Sequence, residues 1–170
     1  MGHPVLRKKV RLVPPADITT APIQRLIDDM TQTMLEYNGV GLAAPQVHEE
    51  LRVFVAQVVR DHDDEDENEA GEPEILALVN PEIKPASRHV EEDWEGCLSI
   101  PDLRGLVPRH RDIRVRAYDR TGKPVDIQAS GYMARIIQHE TDHLDGVLFV
   151  DRMKSFESLS FLDEYARYHA

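Results

Sequence analysis

The run His139-Glu140-Thr141-Asp142-His143 constrains this chain more than any other stretch of it. It lies in a segment, from about Gly131 to Asp145, whose apolar residues recur at helical spacing. On a helix, His139 and His143 stand one turn apart on the same side, so both imidazoles can hold a single divalent metal. Glu140 lies beside them, placed to take a proton from a water on that metal rather than to ligate it. An open tetrahedral site needs a third protein ligand from another part of the chain. Cys97 is the only cysteine and the obvious candidate, so the fold must bring its segment against this helix.

The helix supplies more than ligands. Tyr132, Arg135, Ile136, His139, Glu140 and His143 follow i, i+3, i+4 steps and share one face, whereas Met133, Ile137 and Leu144 point into a core. The metal-bearing face therefore also offers a pocket wall one turn before the ligands. A lone cysteine is ordinarily a core residue. Glycine before Cys97 and serine two residues after it argue instead for a close-packed turn rather than a strand interior.

Elsewhere the pattern predicts short strands and few helices. Ile23, Leu26, Ile27, Met30, Met34 and Tyr37 form an apolar stripe over Pro22–Asn38, with Thr20 placed to cap it and Gly39 suited to a left-handed exit. Arg52–Val59 and Ile75–Asn80 read as buried strands, and Val90–Trp94, Leu106–Pro108, Ile113–Tyr118 and Val125–Ala129 as further short ones. Asp119-Arg120-Thr121-Gly122 has the residues of a hairpin turn. A C-terminal helix is predicted over 156–168, with Leu159, Leu162 and Tyr165 on its apolar face. Strand and helix do not alternate, so the expected class is α+β: one domain over 1–170, its strands mostly antiparallel and packed around the metal-binding helix.

Three stretches carry a family likeness. Glu95-Gly96-Cys97-Leu98-Ser99, the upstream Gly39-Val40-Gly41-Leu42-Ala43-Ala44-Pro45-Gln46, and Gln138-His139-Glu140-Thr141-Asp142-His143 together resemble the three signature motifs of peptide deformylases. Order and spacing match, and the resemblance runs from about Pro4 to Arg152. It implies hydrolysis of the N-formyl group from formylmethionine at the start of nascent polypeptides. Cys97, His139 and His143 would be metal ligands and Glu140 the general base and acid. Gln46 and the Leu98 backbone N–H would cradle the oxyanion, and such donors are worth roughly 3–4 kcal/mol each. Substrate-binding positions by the same likeness are Val40, Gly41, Gly96, Arg104, Tyr132 and Ile136. The recurrent arginines Arg104 and Arg109 are candidates to contact peptide and to pair with Asp142; Glu95 and Asp142 are candidates to orient a ligand histidine or pair with an arginine. Arg135 stands where many bacterial members have an aliphatic residue, and its stem can still line the pocket mouth.

A thiolate with two imidazoles favours Fe²⁺, Zn²⁺, Ni²⁺ or Co²⁺ over Mg²⁺ or Ca²⁺; the resemblance implies ferrous iron in the cell. Two other readings use the same residues. A zinc endopeptidase usually takes its third ligand downstream as Glu, His or Asp, and an upstream cysteine speaks against it. A zinc-stabilised binding module needs a closed four-ligand site, whereas these three leave one position open.

Charge and composition exclude other classes. The net charge of −11 is concentrated: nine of the fourteen residues from Asp61 to Glu74 are acidic, leaving about −2 for the remainder. That stretch, 61–74, lacks EF-hand spacing and reads as a solvated insertion in a connection that is usually short in the family. Nothing in the charge suggests a nucleic-acid surface. No apolar stretch approaches membrane-spanning length and no signal or transit pattern is present, so a cytoplasmic location is expected, or an organelle if a transit peptide has been removed. Some family members dock on the ribosome through a basic tail. Here Asp151, Glu157, Asp163 and Glu164 balance Arg152, Lys154 and Arg167, so a transient ribosome association is implied without support for that docking mode.

Overall fold

In the computed structural model, which describes residues 1–58 and 73–170, an N-terminal helix leads into a largely antiparallel fold. Helix α1 spans Ala21–Glu36 and buries Ile23, Ile27, Met30 and Met34 of the predicted stripe, with Leu26 partly buried and Tyr37, past the helix end, exposed. Thr20 occupies the N-cap position, but its hydroxyl donates back to the Asp17 carbonyl at 2.6 Å instead of capping. The left-handed residue at the helix exit is Asn38, φ 53°, not Gly39. Asn tolerates that conformation, and Gly39 serves close approach instead: a Cβ there would meet Leu98 Cδ1 at 3.0 Å.

Seven strands follow: β1 (Gly41–Ala43), β2 (Val53–Gln57), β3 (Ile75–Pro85), β4 (Val90–Cys97), β5 (Ile100–His110), β6 (Asp112–Tyr118) and β7 (Pro124–Ser130). Then come α2 (Gly131–Leu144), α3 (Phe149–Arg152), β8 (Ser160–Phe161) and α4 (Leu162–Tyr168). One sheet has the order β1-β2-β3-β6-β7 and the other β4-β5-β8, with antiparallel pairing throughout. Side chains alternate across a strand, and β2 and β3 are apolar on both faces because the first sheet is covered twice. Val53, Val55 and Val79 pack on the α1 side, whereas Phe54, Ala56 and Leu78 pack with Ala134, Ile137 and Leu144 of α2. Helix α2 touches β1, β2, β6 and β7 on one side and β5 on the other. The helix that carries the two histidines is thus the element that both sheets share.

The strands flanking the acidic stretch pair antiparallel: Gln57 lies opposite Ile75, and Val58 N donates to the Glu74 carbonyl at 2.8 Å. The acidic stretch itself lies outside the described residues over positions 59–72. The Asp119–Gly122 turn forms as its residues predict, with Thr121 N and Lys123 N donating to Asp119 Oδ1 at 2.8 and 3.0 Å and Gly122 at φ 79°.

Two expectations need correction. Strands β4 and β5 are much longer than the short apolar segments Val90–Trp94 and Leu106–Pro108 suggest. Glu95 and Arg109 point inward there and interrupt the alternation by which a half-buried strand is recognised. The predicted helix over 156–168 is broken. A 3-10 turn at Phe156–Ser158 gives way to β8, which pairs Phe161 with Leu103 and Ser160 with Arg104, and only α4 is helical. The free edge of β5 offers backbone partners that helical periodicity alone does not reveal. Among the described residues, no helix is long and apolar enough to cross a membrane.

The chain leaves α2 at Gly146, φ 74°, where a Cβ would lie 2.6 Å from the Arg7 carbonyl carbon. The N-terminal segment is laid directly against this turn, and Val10 N donates to the Leu144 carbonyl at 3.0 Å. Gly146→Ala therefore combines a disfavoured backbone angle with a backbone clash, and is expected to destabilise the fold by more than ~1 kcal/mol. Urea unfolding measures this; a midpoint unchanged from wild type contradicts it.

Candidate metal centre and cleft

Cys97 is the last residue of β4 and pairs with Ile100 across the two-residue turn Leu98-Ser99. The β4–β5 register shifts between Glu95 and Cys97, and a bulge of this kind re-aims the side chain that follows it. The thiol faces α2, with Sγ 3.2 Å from His143 Nε2. The donor atoms of Cys97, His139 and His143 all lie within 4.8 Å of one another, and the three residues form the candidate metal-holding group among the described residues. Their chemistry fits such a role, one sulfur with two imidazole nitrogens leaving an open position. Two buried atoms at the same place, Glu140 Oε2 and His143 Nδ1, have no hydrogen-bond partner among the described residues. Buried polar atoms are rarely left so, which is consistent with a centre built around a further ligand.

The surroundings hold the donors rigidly. Glu95 accepts from His139 Nδ1 at 2.8 Å, from Arg109 Nε and Nη2 at 2.9 and 3.0 Å, and from Arg135 Nη1 at 2.8 Å. Arg109 Nη1 reaches Asp142 Oδ2 at 2.5 Å, and Arg152 Nη2 reaches Asp142 Oδ1 at 2.6 Å. Burial disfavours the Glu95 carboxylate, but hydrogen bonds from His139 and Arg109 and the Arg109 charge outweigh it and hold its pKa well below the usual range. Glu140 shows the opposite balance: burial pushes its carboxyl up to about 7, against a smaller opposing pull from His139. Two carboxylates in one site are thereby set apart, one permanently ionised and one near the pH at which a proton can be exchanged.

The matched pattern decides the family. The model of the polypeptide deformylase family matches residues 1–158 of the chain. The chain belongs to that family. Deformylases are hydrolases that remove the N-formyl group from nascent peptides, and the family is metal-dependent. Similar proteins include peptide deformylase 2 of Nostoc sp., 44% identical over 97% of this chain and 89% of its own length. Peptide deformylase 1A, chloroplastic/mitochondrial, of Arabidopsis thaliana is 41% identical over 95% of this chain and 63% of its own. A Met-Ala-Ser-bound crystal structure of class I type b peptide deformylase from Acinetobacter baumannii superposes with a TM-score of 0.80, at 38% identity, covering 90% of this chain and 94% of that one.

A cleft of about 640 Å³ opens over the centre, and all the deformylase-like positions expected from the sequence except the buried His143 line it: Val40, Gly41, Gln46, Gly96, Cys97, Leu98, Arg104, Tyr132, Ile136, His139 and Glu140. The Gln46 amide is fixed in orientation. Its Oε1 accepts from Ala43 N at 2.8 Å, which turns Nε2 toward Ser99 Oγ at 3.2 Å and Cys97 Sγ at 3.6 Å. Gly96 lies beneath the Arg104 guanidinium, which a Cβ there would strike. Of the two recurrent arginines, Arg109 takes the Asp142 pairing and Arg104 the cleft. Arg135 does line the cleft, but its guanidinium is buried on Glu95 and on the carbonyls of Val107 and Glu91 at 2.8 and 2.9 Å. The sequence reading did not anticipate Trp94, Asp102 or Leu162 in the cleft wall. Each arrives there through tertiary packing, and the aromatic character of Trp94 beside a charged strand was the only available signal.

Gly41 carries the sharpest local constraint. A Cβ on it would lie 2.8 Å from Glu140 Cδ, so only glycine lets strand β1 run past the carboxylate. Gly41→Ala is expected to leave the fold intact while displacing Glu140, and a shift of about 1 Å at a reacting group can cost ~10²-fold in turnover. Formate release alongside thermal unfolding reads both effects; wild-type turnover in a folded Gly41→Ala protein contradicts the placement.

Proposed function

We propose that this chain hydrolyses the formyl amide of formylmethionyl peptides at a centre in which Cys97, His139 and His143 hold one divalent cation. Ferrous iron is the ion in the cell, with zinc, nickel or cobalt able to take its place. That cation would supply Lewis acidity, bringing the pKa of a water toward about 7. Glu140 takes the proton of the attacking water and returns it to the departing amine as the C–N bond breaks, leaving formate and a free amino terminus. Gln46 Nε2 and the Leu98 N–H donate to the formyl oxygen as it gains charge. The methionine side chain lies against Val40, Tyr132 and Ile136, while Gly96 and Arg104 flank the peptide. Strands β1 and β4 each stand at the edge of a sheet, so an extended peptide can add its backbone between them.

The observation that carries this reading is the convergence of the thiol with the two imidazoles beside a buried carboxyl that has an unpartnered oxygen. The Acinetobacter baumannii neighbour, whose structure is bound to Met-Ala-Ser, supports a short methionyl peptide as the cleft's ligand. A formate-release assay on formyl-Met-Ala-Ser tests it, with protein loaded anaerobically with defined metals. Glu140→Gln keeps the shape of the side chain and removes the base, so bound metal is expected to remain while turnover falls at least ~10²-fold. Metal loss in that variant would make Glu140 a ligand, and unchanged turnover would assign the base elsewhere. Cleavage of unformylated internal peptide bonds, with no formate released, would favour the endopeptidase reading.

A further inference from the structure

The family match ends at Ser158, yet the residues beyond it remain part of the cleft. Ser158 Oγ accepts from Leu106 N at 3.2 Å, and β8 then pairs with Leu103 and Arg104 of β5, the second of which lines the cleft. Helix α4 follows immediately. Leu162 enters the cleft wall, and Tyr165 meets Trp94 edge-on, ring centroids 5.0 Å apart and planes at 60°. The His169 ring lies 4.9 Å from the same indole. Trp94 in turn lines the cleft. Part of the cleft wall is therefore built jointly by β4 and by the last segment of the chain, tied down by a strand pairing and by a three-ring cluster.

The size of the cleft gives this wall a purpose. About 640 Å³ suits a ligand of several residues rather than one formylated amino acid. An extended peptide advances ~3.3 Å per residue, so residues after the methionine leave the region of Tyr132 and Ile136 and reach other walls. Trp94 and Leu162 offer aromatic and aliphatic surface in the cleft wall, which matches an apolar or aromatic side chain.

We propose that the C-terminal segment forms an outer subsite of the cleft, in which Trp94 and Leu162 receive an apolar or aromatic side chain of the formylated peptide downstream of its methionine. The proposal rests on the deformylase reading of the cleft. Tyr165 does not touch the peptide; it is a positioning residue that holds the Trp94 indole through the edge-on contact.

Steady-state kinetics on formyl-Met-Ala, formyl-Met-Ala-Ser, formyl-Met-Ala-Phe and formyl-Met-Phe-Ser test it. The wild-type protein is expected to favour one of the phenylalanine peptides over formyl-Met-Ala-Ser by ~10-fold in kcat/KM, the scale on which an apolar pocket discriminates. Tyr165→Ala and removal of residues 159–170 should each erase most of that ratio through KM, while kcat on formyl-Met-Ala-Ser stays close to wild type in Tyr165→Ala. Tyr165→Phe, which keeps the ring, should restore the ratio. If the shortened chain fails to fold, the point variants still decide. Equal use of phenylalanine and serine peptides by the wild-type protein overturns the subsite. A Tyr165→Ala protein that slows on all four peptides in proportion also overturns it, because that marks a structural wall without selectivity. Absence of any formate from formyl-Met-Ala in the wild-type protein would defeat the deformylase reading itself, whereas formate release without a phenylalanine preference defeats the subsite alone.

Discussion

The centre depends on one buried carboxylate. Glu95 accepts from His139, Arg109 and Arg135 at 2.8–3.0 Å, and it sits on the strand that ends two residues later at Cys97. A single group thereby sets the angle of one imidazole and ties the strand bearing the thiol to the helix bearing both histidines. A carboxylate out of water is costly unless its partners are complete, and removing one partner from such a buried ion pair typically costs about 3–5 kcal/mol. The network does not end at Glu95. Arg109 passes to Asp142 and Asp142 to Arg152, so strand β5, helix α2 and helix α3 are joined by alternating charges.

The apolar layers explain why this charged seam can be held still. Helix α2 buries Ala134, Ile137 and Leu144 against one face of the first sheet, while α1 closes the other face of the same strands. Its opposite side is left to meet β4 and β5 through polar groups. Close packing on one side fixes the helix in rotation, and a rotation fixed in that way determines where His139, Glu140 and His143 point. Glu140 illustrates the consequence: it is buried beside the glycine of β1, one oxygen has no partner among the described residues, and its pKa rises to about 7 because burial, not a neighbouring charge, dominates.

Much of the site could be read from the residues because its logic is local. The i, i+4 histidines, the carboxylate between them and the helix face with Tyr132 and Ile136 all follow from 3.6-residue periodicity. Helix α1 and the Asp119–Gly122 turn were equally visible. What the sequence concealed is what long-range pairing creates. The inward-pointing Glu95 and Arg109 hide the length of β4 and β5, since buried charges look like solvent-facing ones until their partners are known. The left-handed position at Asn38 was concealed by a neighbouring glycine that is the commoner choice. Helical spacing over 156–168 was real but incomplete, because an open strand edge captured Ser160 and Phe161. Arg135 is the instructive case: its position on the pocket face was predicted, while the burial of its guanidinium on Glu95 depends on three segments meeting.

In the proposed centre, β4 and α2 present one sulfur and two nitrogens to a single ion. X-ray absorption at the metal edge of the zinc- or nickel-loaded protein measures that directly. One sulfur neighbour at ~2.3 Å with two imidazole nitrogens at ~2.0–2.1 Å is the expected result. A coordination shell without sulfur, or one saturated by four protein ligands, would contradict it.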